Sequence, residues 1–84
     1  MAQRSTFNEL LRCARDAGIE VRHAPLGGGG GGLANIRGVL KLFVDTDAEP
    51  EDQLDRTIRA IRDMPQVRAL ATRADVQKLL DAAE

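Results

Sequence analysis

Eighty-four residues with 12 basic and 13 acidic side chains, a net charge of −1 at neutral pH, make one small domain, residues 1–84. The balanced charge argues against a protein that lives on phosphate backbone, and with no Trp or Tyr and only Phe7 and Phe43 as aromatic rings, base stacking has little to work with. A lone cysteine, Cys13, excludes a disulfide within the chain; with the polar Met-Ala-Gln-Arg start and no apolar run near the ~18 residues of a membrane span, it sets the expectation of a soluble protein of the reducing cytoplasm.

The first helix is expected over residues 6–17. Phe7, Leu10, Leu11, Ala14 and Ala17 recur at helical spacing, with Glu9, Arg12, Arg15 and Asp16 on the other side. Thr6 and Glu9 have the spacing of a capping box, and Gly18 stands where a left-handed glycine would end the helix. Ile19 to Ala24 read as a strand that Pro25 terminates, with Glu20 and Arg22 on one face.

Gly27 through Gly32 follow, six glycines in a row. Glycine loops can cradle phosphate, but such loops lead directly into a helix and carry a Lys-Ser/Thr pair, whereas Leu33-Ala34-Asn35-Ile36 reads as a strand. The run is therefore expected to be a flexible connection between two strands, open to shortening. Arg37-Gly38 then predicts a tight hairpin turn into the longest strand, Val39 to Asp45. Its alternation sends Leu40, Leu42 and Val44 under the helices and Val39, Lys41 and Phe43 to the opposite face.

Pro50 suits the first turn of a second helix, reaching about Asp63 with Leu54, Thr57, Ile58 and Ile61 inward, and Asp52/Arg56 and Asp55/Arg59 are spaced for ion pairs. Met64-Pro65 breaks it. Residues 67–70 allow a short helical turn, in preference to a fourth strand, and Thr72/Asp75 repeat the capping-box spacing before a last helix with Val76, Leu79, Leu80 and Ala83 inward. The expected fold is a two-layer α+β domain in the order α-β-β-β-α-α, its three-stranded antiparallel sheet a simple meander with helices on one face.

The one cluster with a chemical look is acidic. Asp45-x-Asp47 at a strand end resembles the first motif of haloacid-dehalogenase-like hydrolases, and oxygen ligands suit Mg²⁺; the resemblance covers three residues, and Glu49 stands where a Thr or Val belongs. Asp45, Asp47 and Glu49 are the metal-ligand candidates. As an EF-hand loop the stretch fails, with Pro50 in place of the turn glycine and Arg56 in place of the bidentate Glu. Helix capping and solubility account for the acids without metal. His23 and Cys13 have no third group to position them for catalysis, and no catalytic residue or cofactor is expected. Arg56, Arg59 and Arg62 form a ribbon that could meet phosphate, but Asp52, Asp55 and Asp63 interleave with it.

The leading expectation is thus a non-enzymatic interaction module that forms a homodimer through Val39, Lys41 and Phe43 on the uncovered side of its sheet, with room for another protein partner. A metal-assisted phosphoryl or ester hydrolase using Asp45 and Asp47 stands second, and nucleic-acid binding through the arginine ribbon third.

Overall fold

The computed structural model describes residues 2–82. Helix α1 (Ala2–Asp16) leads into strand β1 (Glu20–Ala24), then β2 (Gly32–Ile36) and β3 (Val39–Asp45), followed by α2 (Pro50–Ile61), the single turn α3 (Pro65–Arg68) and α4 (Ala74–Ala82). The class is α+β. The stretch around residues 67–70 joins the helical layer rather than the sheet, and Val67 is fully buried. Ala83 lies outside the described residues.

The sheet is mixed, which corrects the expected antiparallel meander. Strand order is β1-β3-β2, with β1 parallel to β3 and β2 antiparallel to it. Only the β2–β3 pair is a hairpin. Its turn is built by Arg37 at φ 55° and Gly38 at φ 84°, the paired left-handed residues of a type I′ turn, and the Asn35 side chain accepts from the Gly38 N–H at 2.9 Å. After β1 the chain does not fold back beside itself. Residues 25–31 pass the end of β3 and deliver β2 to its far side, roughly two strand spacings or ~10 Å away.

One face of the sheet carries the core. Leu42 and Val44 of β3 are buried with Leu10, Leu11 and Ala14 of α1, Leu54, Ile58 and Ile61 of α2, Val67 of α3, and Val76 and Leu80 of α4, while Val21 and Leu40 pack at its border. The aliphatic face of β3 is as the alternation required. Helix α2 follows its expected stripe, with Leu54, Thr57, Ile58 and Ile61 buried and Pro50 in its first turn.

Neither capping box forms, and one contact explains both. Helix α1 starts at Ala2, so Thr6 lies inside it rather than at its cap. There the Thr6 hydroxyl donates to the Asp75 carboxylate at 2.6 Å, joining α1 to α4 across 69 positions. Asp75 also accepts from Arg73, and Glu9 pairs with Arg12 on its own helix. A part-buried interhelical hydrogen bond has displaced two local ones.

Candidate functional site

The end of β3 is built around Asp45. Its residue is 2% exposed, and its carboxylate is turned into the glycine connection, not toward solvent. Oδ1 accepts from the backbone N–H of Leu26 and of Asp47, both at 2.9 Å, and Oδ2 from Gly30 N–H at 2.9 Å. Arg56 reaches from α2 to the same place, donating to the Gly30 carbonyl at 2.8 Å with its guanidinium 3.9 Å from Asp45. Burial pushes the Asp45 carboxyl up, but the N–H donors of Leu26, Gly30, Asp47 and Gly28 outweigh it and hold the pKa below its ordinary value.

Glycine is required here for space as well as for turning. A Cβ on Gly30 would stand 2.6 Å from Leu26 Cβ, and Gly31, at φ 107°, would put one 3.3 Å from the Phe43 carbonyl. The loop thus forms an amide nest of the kind that takes up phosphate, but the anion in it is the chain's own aspartate.

The other acidic candidates do not converge with Asp45. Asp47 is exposed and accepts from Gly27 N–H at 2.9 Å, and exposed Glu49 precedes α2 with an extended backbone and no side-chain cap. Among the described residues no set of three or more His, Cys, Asp or Glu is arranged to hold a metal ion. The arginine ribbon is also divided. Arg56 is committed to the glycine loop in place of the expected pair with Asp52, while Arg59 does pair with Asp55 at 3.1 Å. Cys13 is buried, its Sγ 3.6 Å from the Leu70 carbonyl, and burial pushes the thiol up; His23 is exposed on β1. No helix among the described residues is long and apolar enough to cross a membrane.

The remaining candidates, Val39, Lys41 and Phe43, share the face that the core residues of β3 do not use. Register places Glu20–Lys41–Ala34, Arg22–Phe43–Gly32 and Val39–Ile36 in rows across it. The face divides in two. On the β1 side Glu20 pairs with Arg22 and, at 3.4 Å, with Lys41. On the β2 side Val39 is 46% and Ile36 43% exposed, with half-buried Ala34 in the next row and half-buried Phe43 in the row after it. Lys41 is therefore drawn toward Glu20 and away from the apolar half.

Ile36 was not singled out from the sequence, and Arg56 was singled out only for the arginine ribbon and a pair with Asp52, not for the glycine loop. Ile36 had to stand opposite Val39 once Arg37-Gly38 was read as a two-residue turn, so its place in the patch was available. Arg56 carried no such signal, because its partners lie 26 and 11 positions away on another layer. Compared with protein-family models, curated proteins and solved structures, the chain matches none.

Proposed function

We propose that the domain is a non-enzymatic interaction module that self-associates through the helix-free side of its sheet. The observation that carries this reading is the exposed Ile36–Val39 pair with half-buried Phe43 two rows further along the same face, three large apolar side chains on a face that none of the described helices covers. Fully burying an exposed side chain of this size is worth about 1.5–3 kcal/mol, and Ile36 and Val39 have a little under half of their surface left to withdraw. A second copy suits the face because its charges already pair within it, Glu20 with Arg22 and Lys41, so association leaves no unpaired ion there.

The hydrolase reading has less behind it. The lone pairs of Asp45 point at backbone donors, and a metal would have to displace them. Nucleic-acid binding is similarly weakened, since Arg56 is engaged internally and Arg59 is balanced by Asp55. Light scattering over a range of concentrations tests the proposal: the expected mass is twice the 9.1 kDa of the chain. Phe43→Glu should return it to one copy with an unchanged circular dichroism spectrum. A wild-type chain that stays single at millimolar concentration overturns the proposal.

A further inference from the structure

Both outer strands of the sheet leave one row of backbone groups unpaired, but they are protected very differently. Strand β1 carries Glu20, Arg22 and His23 and is followed by Pro25, the charges and proline with which sheet edges are normally blunted. Strand β2 is Gly-Leu-Ala-Asn-Ile, with neither a charge nor a proline. Leu33 on one of its faces is 37% exposed and Ile36 on the other 43%. An edge of this composition is a template for another strand.

Resting on the self-association reading, we infer that β2 pairs antiparallel with β2 of a second copy, about a two-fold axis at Ala34, giving one continuous six-stranded sheet. The register follows from the turn. Ile36 and Val39 flank a two-residue turn and form a hydrogen-bonded pair, so the N–H and C=O groups of Ile36, Ala34 and Gly32 face β3. Those of Leu33 and Asn35 face outward. Centring the axis on Ala34 sets Leu33 opposite the partner's Asn35, and each such pair exchanges two hydrogen bonds. Ala34 then meets the partner's Ala34 in the central non-hydrogen-bonded pair, where Cα atoms approach to about 4.5 Å and a small side chain fits best.

The same register places Ile36 opposite the partner's Gly32. Gly32 has no side chain and stands beside Phe43 in its own sheet, so Ile36 can lie across the gap against the partner's Phe43. The apolar halves of the two open faces become one central strip, and the charged halves go to the outside. Strand β1 cannot do this: the equivalent pairing centred on Arg22 would set two arginines directly opposite each other.

Two variants test the inference. Ala34→Cys should give a covalent dimer under mild oxidation, because that pair falls within disulfide reach; Cys13, fully buried, does not compete. Leu33→Pro should remain folded, since the N–H it loses points away from β3, and should weaken the dimer on the order of tenfold or more. Cross-linking at position 34 with none in an Arg22→Cys control supports the register. A wild-type dimer in which Ala34→Cys does not cross-link, or that withstands Leu33→Pro, overturns the edge pairing and leaves self-association through the face standing. A wild-type monomer overturns both. If Leu33→Pro fails to fold, cross-linking decides.

Discussion

Asp45 is the residue on which the local structure turns. It is a buried charge whose nearest guanidinium is 3.9 Å away, and its solvation comes from backbone N–H groups of a loop that needs glycine at positions 30 and 31. Asp45→Asn keeps the size but turns one acceptor into a donor facing other donors. It should loosen the loop, seen as faster amide hydrogen exchange at Leu26 and Gly30. The pH dependence has a definite sign. A carboxyl whose folded pKa lies below its unfolded one contributes its full stabilisation above the unfolded value, about 3.9, and loses it as pH falls through the folded value. Acid unfolding below about pH 4 should therefore be shallower in Asp45→Asn than in the wild type; identical acid limbs would remove Asp45 from the balance. Gly30→Ala should cost about 1–3 kcal/mol in chemical denaturation, since the atom it meets is a Cβ fixed to the backbone. Gly29, with open space around its Cβ position, should accept alanine within about 0.5 kcal/mol.

At the scale of elements, the connection over residues 25–31 behaves in this geometry as a strap across the end of β3. It is held by Asp45, Asp47 and Arg56 and sets which strand lies in the middle. A mere tether can be shortened at a cost well under 1 kcal/mol. Removing two glycines from this one should instead cost on the order of 1–3 kcal/mol, because the amides that answer Asp45 would be misplaced. Denaturation of the deletion variant separates the two outcomes, and a loss below about 0.5 kcal/mol restores the tether. The strands and helices themselves were legible because their signals are local: the stripe Leu54-Thr57-Ile58-Ile61, the break at Met64-Pro65, the stop at Gly18. Strand order was not. The alternation of Val39 to Asp45 is the same whether β1 sits beside β2 or beside β3, and what favours the second is a carboxylate bonding to amides 15 and 19 positions away. The capping boxes misled for a related reason. Thr6 and Asp75 each suit a helix start, and local spacing carries no sign of a partner at the other end of the chain.

For the molecule as a whole, the core is small enough that one side chain weighs heavily. Leu42 is fully buried in the central strand and shares the core cluster with residues of all four helices. Leu42→Ala should cost about 2–5 kcal/mol. At roughly 0.05–0.15 kcal/mol per residue, a domain of this size has only about 4–13 kcal/mol to lose. A loss under about 1 kcal/mol in urea would place Leu42 outside the core.

The opposite behaviour is expected of Ile36. In the single chain it is 43% exposed and lies outside the core cluster, so Ile36→Glu should leave the unfolding free energy of a monomer within about 0.5 kcal/mol. In the paired sheet the same position faces the partner's Gly32 and Phe43, and a carboxylate there would replace the apolar contact across the seam with a charge that has no cation beside it. Melting temperature against protein concentration separates the two states, because association stabilises a fold by mass action and a monomer's melting point does not move on dilution. The wild type should melt at progressively lower temperature over a hundredfold dilution, approaching the value that Ile36→Glu shows at every concentration. Because the β2 edge carries no charge, this dependence should also persist in high salt, where contacts between surface ions are screened. A wild-type melting point that ignores dilution would mean that the apolar half of the sheet stays in water, and that the exposed Ile36–Val39 pair has another occupant than a second copy.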